Sequence, residues 1–397
     1  MTQTGGYPAL DAFRLIAAIL VIAIHTSPLS DISSTADFIL TRIIARIAVP
    51  FFFMTSGFFL FKDGTDKEKL KTFLKSTAVL YAVSIILYLP VNIYSGYFST
   101  DMLLPNIIKD LVFDGTFYHL WYLPAALSGG FIAWLLIDKL GSKKAAVIAL
   151  ALYVIGLLGD SYYGLTAQVP ALKCIYGHMF EIFDYTRNGL FFAPIFFVAG
   201  ALAQNIRISR LKNALIACGA FALMLLEGLL LHRAQYQRHD SMYIMLVPCV
   251  LFLFLLLMSV RGKRFKLLRD MSVFIYILHP MVIIALRGAA KLFNCQELLL
   301  SNSLIYFTAV AFVSAAAAYI LAVIKRWYTA RTKKLPADQA AKSSPLISYG
   351  QTPLANNSRT GRAWIEISLI RLKNNTQALL NALPPGCKLM AVVKADA

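Results

Sequence analysis

Long runs of apolar residues recur along most of this chain and constrain its fold more than any other feature. A helix needs about 17 to 25 mostly apolar residues to cross a bilayer. We place ten such runs, at residues 9–27, 38–61, 73–93, 117–137, 145–159, 188–204, 211–231, 241–260, 269–287 and 302–324. The fifth and sixth are the shortest, so counts of nine and eleven stay open. The sequence predicts an all-α polytopic membrane protein with about ten transmembrane helices.

The composition excludes several other classes of protein. Hydrophobic residues make up 58% of the chain and charged residues only 15%, whereas soluble domains carry about a quarter charged residues. Lys and Arg outnumber Asp and Glu by 38 to 20, but they lie in short runs between apolar segments. This placement favours the lipid bilayer as a partner and argues against nucleic acid. The five cysteines lack CxxC spacing, so neither a metal site nor a disulfide framework is predicted.

The basic residues also predict the orientation of the spans. If the amino terminus is cytoplasmic, sixteen Lys and Arg residues lie in inner loops and seven in outer loops. Cytoplasmic loops carry this excess in membrane proteins, and five more basic residues follow the tenth run. No cleavable signal peptide is expected, since Asp11 and Arg14 lie at the start of the first span. We therefore expect both termini to be cytoplasmic.

The composition divides the chain into three parts. Residues 1–327 form the predicted transmembrane domain, and residues 328–361, rich in Lys, Ser, Pro, Asn and Gln, form a predicted flexible cytoplasmic linker. Residues 362–397 predict a strand at 363–367, a helix at 369–383 and an apolar strand at 389–393. This order is typical of the start of an α/β (TIM-type) barrel. Lys394 follows the second strand, where barrels place reactive groups, although a lysine there is more often an ordinary surface residue.

Two polar residues in the first span lie on one face of a helix. Arg14 and His25 are eleven residues apart, which corresponds to three turns and about 16 Å along the axis. This spacing suits a pathway reached from both sides, in which Arg14 binds an anionic group and His25 acts as a base. The alternative is that Arg14 extends to lipid headgroups and His25 lies at the opposite interface.

Four further polar residues are candidates for a substrate path, because polar groups inside spans tend to face a cavity or a partner. Asp11 lies one turn before the first-span arginine. His119 begins the fourth span, where it would line an outer vestibule. Glu227 lies in the middle of an apolar run, either hydrogen-bonded within the bundle or on a polar path. His279 precedes Pro280 and is either a site residue or a satisfied core residue at a kink.

Five segments in order resemble the acyltransferase-3 family of membrane proteins. They are Asp11-Ala-Phe-Arg14 with His25, VPFFFMTSGFFLF from Val49, HLWYLPA from His119, RNGLFFAPIFFVAG from Arg187 and SVFIYILHP from Ser272. The resemblance covers the first nine spans. It implies that Arg14 and His25 are catalytic and that an acyl group moves from a cytoplasmic acyl donor to an acceptor hydroxyl at the outer face.

The last segment resembles a different family, the alanine racemases. RAWIEIS, a helix and then PPGCKLMAVVKADA are similar to the opening of those enzymes. The resemblance implies that Lys394 is the Schiff-base lysine that holds pyridoxal phosphate and acts as one base at the substrate α-carbon. The opposing tyrosine, the phosphate ligands and the carboxyl-terminal domain of that family would lie beyond Ala397. We therefore expect a truncated racemase domain, which would form homodimers when complete.

Together the two parts resemble the membrane-bound serine/alanine racemases of the VanT type, which belong to glycopeptide (vancomycin) resistance. The resemblance implies a bacterial cytoplasmic membrane, L-serine or L-alanine as substrate, and D-amino acids made for peptidoglycan precursors. Three functions stay open for the membrane domain. Uptake of L-serine is ranked first, anchoring of the racemase second, and O-acyl transfer to a cell-envelope glycan third.

Overall fold

The computed structural model describes residues 6–99, 102–341 and 369–382. Regular structure in these ranges is helical, and extended backbone within them pairs only at a bridge between Gly6 and Gly262. The chain divides into two compact units, Met1–Lys334 and Leu335–Ala397, which we describe separately. The predicted all-α class is confirmed for the described part of the first unit.

Seven helices of the first unit are long and apolar enough to cross a membrane, and two further apolar helices are shorter. In chain order they are α1 (Pro8–Thr26), α2 (Ser34–Leu60), α3 (Lys67–Tyr94), α4 (Tyr122–Leu158), α5 (Ala193–Ala203), α6 (Arg210–Ala234), α7 (Leu246–Met258), α8 (Lys266–Leu292) and α9 (Ser303–Arg331). Short helices in the connections are Leu103–Lys109, Tyr163–Thr166, Pro170–Ile182 and Gln296–Leu300. The chain is a multi-pass membrane protein.

The predicted count of ten spans is not confirmed. The runs predicted at 117–137 and 145–159 correspond to the two parts of α4, which non-helical backbone at Gly141, with φ of 77° and ψ of 159°, divides into two helical segments. The runs predicted at 188–204 and 241–260 fold only partly as helix. The helices α5 and α7 have 11 and 13 residues, or about 17 and 20 Å, and are shorter than the hydrocarbon core of a bilayer.

The second helix is irregular in its first half. It begins as α-helix at Ser34–Phe38, continues as a π-helical turn at Ile39–Ile43 and a 3-10 turn at Ile44–Ile47, and returns to α-helix at Ala48–Leu60. Such π turns inside helices are frequent at functional sites. The irregular stretch carries Arg46, which is buried.

Close packing of α2 against α5 holds the centre of the unit together. A Cβ atom added at Gly57 would overlap the backbone of Phe197, and one added at Gly200 would overlap the backbone of Met54. Nearly every residue of α5 is buried. Small residues that let two backbones approach closely are a usual means of association between membrane helices. The short α5 is therefore an internal helix surrounded by longer ones.

The second unit is described only in part. Its helix α10 (Leu369–Ala382) confirms the helix predicted at 369–383. The strands predicted at 363–367 and 389–393, and with them the start of a barrel, lie outside the described residues. Residues 328–341, which we assigned to the linker, are instead helical, since the helix that contains α9 continues to Ala341.

The packing of α2 on α5 predicts the effect of a larger side chain at their contact. Gly57→Leu should lower the free energy of unfolding by about 1–3 kcal/mol or more, because the new side chain meets backbone that cannot move aside. The measurement is the thermal midpoint of the detergent-solubilised protein. Gly219→Leu, in α6 where an added Cβ meets nothing within 4 Å, is the control and should not lower the midpoint. Equal midpoints for the two variants would contradict this account of the contact.

Candidate functional site

Arg14 lies at one end of α1, on a cavity of about 360 Å³. Asp11 orients it, because Nη1 of Arg14 donates to Oδ1 of Asp11 at 3.2 Å. The other oxygen, Oδ2, accepts a hydrogen bond from the backbone N–H of Phe265 at 3.0 Å. Asp11 therefore ties the start of α1 to the residue before α8 and gives the arginine a counter-ion.

Three more charged residues line this cavity, which we call the inner cavity: Arg269, Asp270 and Lys325. The ammonium of Lys325 lies 2.9 Å from Oδ1 of Asp270. Arg269 forms no ion pair with an acidic residue in the described part of the chain. Hydroxyl groups complete the polar lining: Ser56, Ser76, Thr77, Tyr122, Ser272 and Tyr276. The cavity thus presents excess positive charge and one carboxylate, which suits an anion or a zwitterion.

His25 lies at the other end of α1, beside two more predicted site residues. The ring centroids of His25 and His279 are 5.4 Å apart and stacked, and His119 lies 5.4 Å from His279 in an edge arrangement. The ring of Tyr118 is 4.8 Å from that of His25. The fold therefore brings together three histidines from three distant parts of the sequence. They form what we call the histidine cluster: His25, His119 and His279.

The tautomer of His279 follows from its partners. Its Nδ1 lies 2.9 Å from the carbonyl oxygen of Tyr276 and 3.0 Å from that of Ile275. Carbonyl oxygens only accept hydrogen bonds, so Nδ1 carries the proton. Pro280 contributes to this geometry because it has no backbone N–H. The carbonyl oxygen of Tyr276, four residues earlier, therefore receives no helical hydrogen bond from it and can accept one from His279. The buried Nε2 has no partner among the described residues and presents a lone pair.

His119 is positioned by the loop before α4. Gly115 has a φ of 80°, and an added Cβ would overlap the backbone at Trp121, so the loop folds back on the start of the helix. The hydroxyl of Tyr276 donates to the carbonyl oxygen of His119 at 2.9 Å. His119 as a whole residue is 2% exposed, and neither ring nitrogen has a hydrogen-bond partner in the described residues. The loop thus fixes the backbone and leaves both nitrogens available.

Two arginines from distant segments flank the histidine cluster on a second cavity of about 60 Å³, which we call the outer cavity. Arg46 and Arg187 line it together with His25 and His119. The Nε atoms of both arginines are buried without a partner among the described residues. Nη1 of Arg187 donates to Ser241 Oγ at 3.2 Å. The outer cavity therefore carries two positive charges.

Asn188 explains how Arg187 reaches the interior. Its side-chain oxygen accepts hydrogen bonds from the backbone N–H groups of Leu190 and Phe191, at 3.0 and 3.1 Å. This arrangement turns the chain just before α5. The guanidinium of Arg187 lies 5.0 Å from the ring centroid of Trp121, a distance typical of a cation–π contact.

Asp160 anchors the opposing loop that supplies Ser241. Its Oδ1 accepts hydrogen bonds from the backbone N–H groups of Ser241 and Met242, at 2.7 and 3.0 Å. Burial raises the pKa of this carboxyl to about 6, although these N–H groups and the nearby Arg187 oppose the shift. Asp160 therefore holds the loop in place beside Arg187.

The inner and outer cavities share one wall. Phe52, Tyr122 and Tyr276 line both of them, and we call these three residues the aromatic septum. The ring centroids of Tyr122 and Tyr276 are 5.4 Å apart, and those of Phe52 and Tyr122 are 6.2 Å apart. The septum therefore separates the inner cavity, which Arg14 lines, from the outer cavity, which His25 lines.

One predicted site residue of the membrane unit lies away from both cavities. Glu227 lies on α6 and lines neither of them. Its carboxylate accepts hydrogen bonds from the hydroxyl of Tyr162 and from the backbone N–H groups of Ile244 and Met245, at 2.6 to 2.9 Å. It therefore caps the start of α7, as a carboxylate does at a helix amino terminus. Lys394 lies outside the described residues.

Sequence reasoning indicated only that Arg46, with Arg42 one turn away, faces a cavity or a counter-ion, and it did not select Arg187 as a site residue. Arg46 was visible as a charge inside an apolar run, and Arg187 as the first residue of a segment used for the family resemblance. Neither signal identifies a shared cavity, because that depends on packing between distant helices. Among the described residues, no group of three His, Cys, Asp or Glu side chains is arranged to hold a metal ion, the histidine cluster included.

The fold and the two cavities define a multi-pass membrane protein with a polar interior. Residues 7–323 match a family model described as an acyltransferase domain. The chain belongs to this family, the acyltransferase-3 family, and the resemblance given by the five segments is confirmed.

Curated relatives extend the comparison to the whole chain. The chain is 46% identical over its full length to an amino-acid racemase of Enterococcus faecalis. It is 35% identical over 98% of its length to another amino-acid racemase of that organism, and 32% identical over 98% to a serine/alanine racemase of Enterococcus gallinarum. The chain spans 53% of the length of each relative. No solved structure matches it.

The aromatic septum predicts which residues block passage between the cavities. In a variant whose native cysteines are replaced by serine, Ser56→Cys places a thiol on the inner cavity, and an impermeant thiol reagent added at the His25 side should not label it. Adding Phe52→Ala removes part of the septum and should make that thiol reactive. Phe59→Ala, on the same helix but lining neither cavity, is the control. Labelling that is unchanged by Phe52→Ala would show that the barrier lies elsewhere.

Proposed function

We propose that this chain is the membrane portion of an amino-acid racemase and that its membrane domain takes up L-serine or L-alanine for that enzyme. The observation that carries the proposal is the pair of small polar cavities at opposite ends of α1, each lined by arginine and separated only by the aromatic septum. A solute that crosses a membrane protein needs a polar site reachable from each side and a barrier between the sites. The names of the relatives supply the class of solute.

The inner cavity supports a zwitterionic ligand. Arg269 has no acidic partner in the described residues and can bind a carboxylate through charge-assisted hydrogen bonds. Asp270 uses Oδ1 for Lys325 and offers its second oxygen to an ammonium group. Hydroxyls of the lining, such as Ser272, can pair with the hydroxyl of serine.

The size of the outer cavity favours a small ligand. A volume of about 60 Å³ leaves room for a small solute. The carboxylate end of an amino acid fits this space, whereas a glycan acceptor would require the helices to separate. This observation supports uptake over transfer of an acyl group to an envelope glycan.

Acyl transfer is the second candidate, and one observation favours it. The protonated Nδ1 of His279 leaves Nε2 with a free lone pair beside His25 and His119. An imidazole with a free lone pair is a suitable general base for an acceptor hydroxyl. In this alternative, Arg14 and Arg269 would bind the anionic groups of an acyl donor. Anchoring alone has no observation of its own in its favour.

For the whole protein we propose the racemase reaction. Lys394 would hold pyridoxal phosphate, which supplies stabilisation of the carbanion at the α-carbon when bound. The products would be D-serine and D-alanine for peptidoglycan precursors in glycopeptide resistance, with homodimers formed through the racemase domain. Both termini would face the cytoplasm of a bacterial cytoplasmic membrane, because the cofactor is available there and the basic loops favour that orientation.

Uptake tests the membrane domain directly. In proteoliposomes that contain the chain, Arg269→Gln should raise KM for labelled L-serine about tenfold or more, because it removes a charge-assisted contact. Lys263→Gln removes one positive charge from an exposed residue at the same end and should leave uptake unchanged. Absence of uptake by the unaltered protein would reject the transport proposal.

A second readout separates uptake from acyl transfer. If the membrane domain is an acyltransferase, His25→Ala in cells should abolish transfer of acetyl to the envelope. Unchanged acetylation in that variant would exclude this use of the histidine. If both readouts are unaffected by Arg269→Gln and His25→Ala, the domain serves only as an anchor.

The racemase proposal is tested on the longer protein that extends beyond Ala397. Lys394→Ala should abolish formation of D-serine from L-serine, since no other residue would carry the cofactor in this motif, and uptake should remain normal. Formation of D-serine is measured by chiral chromatography. Retained racemisation in the variant would remove Lys394 from the reaction.

A further inference from the structure

Two arginines, Arg46 and Arg187, line the outer cavity. Arg46 is 9% exposed, and its guanidinium forms no hydrogen bond or ion pair with a described acidic residue, although Asp240 attracts it electrostatically. Arg187 lies on the same cavity near Asp160, whose Oδ1 accepts hydrogen bonds from backbone N–H groups and whose Oδ2 has no hydrogen-bond partner among the described residues. A buried cation without a partner is costly, so this arrangement points to an anionic ligand.

The geometry of the cavity restricts that ligand. Arg46 and Arg187 come from α2 and from the turn before α5, and the two guanidinium groups share the cavity with His25. Planar guanidinium groups bind carboxylates in a two-pronged manner. The small volume admits a carboxylate on a short chain and excludes a nucleotide or an oligosaccharide.

We infer that Arg46 and Arg187 form an entry site that binds the carboxylate of a small amino acid at the His25 end of the membrane domain. This inference rests on the proposed function and adds a residue-level site to it. The aromatic wall, which includes Tyr118 and Trp121, would contact the short side chain. The amino group would lie toward the imidazoles of the histidine cluster, whose unprotonated nitrogens have lone pairs that can accept hydrogen bonds.

Binding to the purified full chain tests the site with three probes of similar size. L-serine carries both a carboxylate and an ammonium group, L-lactate carries only the carboxylate, and serinol carries only the ammonium group. A site built on two arginines should bind L-serine and L-lactate and should bind serinol at least about tenfold more weakly. Equal binding of serinol and L-serine would overturn the inference.

Substitutions locate the site. Arg46→Gln should weaken binding of L-lactate by about tenfold or more, and Arg46→Lys should restore part of it because the charge returns without the planar fork. Arg42→Gln, one turn earlier on the same helix and not on the cavity, is the matched control and should bind normally. Thermal midpoints of all variants show whether each is folded. Normal binding by a folded Arg46→Gln variant would overturn the inference.

The outcomes separate this inference from the proposed function. If L-serine uptake by the unaltered protein is normal and is insensitive to Arg46→Gln and Arg187→Gln, the entry site is wrong and the transport proposal stands. If the unaltered protein shows no uptake but binds L-lactate in a manner that depends on Arg46, the site stands and the transport proposal fails.

Discussion

A guanidinium group buried between membrane helices is costly unless it is paired or reaches a hydrated cavity, and this constraint organises the polar interior of the first unit. Arg14 satisfies this constraint by pairing with Asp11. Arg187 satisfies it by a hydrogen bond to a hydroxyl group and a cation–π contact with an aromatic ring. Arg46 has no such partner among the described residues and lies on the outer cavity. The helices around these residues therefore satisfy two of the three guanidinium groups by contact and leave the third, Arg46, on a cavity.

The first helix connects the two polar regions. It runs without a break from Pro8 to Thr26, so Arg14 and His25 lie on one rigid element about 16 Å apart. Asp11 ties one end to the start of α8, and His279 of α8 stacks on His25 near the other end. Movement of α8 against α1 would therefore affect both cavities, and Tyr276 of the septum lies on the same helix.

Local features of the candidate site could be predicted from sequence, and features that depend on packing could not. The spacing of Arg14 and His25 specified one face of one helix, because helical geometry is regular. The place of Arg46 beside Arg187 depends on how α2 packs against α5, which their separate apolar runs do not encode. For Glu227 the sequence left two alternatives, a hydrogen-bonded residue within the bundle and a path residue, and its partners are the Tyr162 hydroxyl and backbone N–H groups before α7. The span count also depended on packing, since a buried helix such as α5 need not be long enough to cross a bilayer.

The proposed uptake of serine and the acyl transfer typical of the family make similar demands on the structure. Acyl transfer needs an acceptor hydroxyl beside a basic imidazole and an anionic donor beside arginines at the opposite end. Serine carries a hydroxyl and a carboxylate in one small molecule, so the same imidazoles and arginines can bind it without a second substrate. What distinguishes the two activities is the volume at the histidine cluster and the passage through Phe52, Tyr122 and Tyr276. A cavity of about 60 Å³ beside two arginines is better matched to a small carboxylate than to a glycan, and it favours binding and release over transfer.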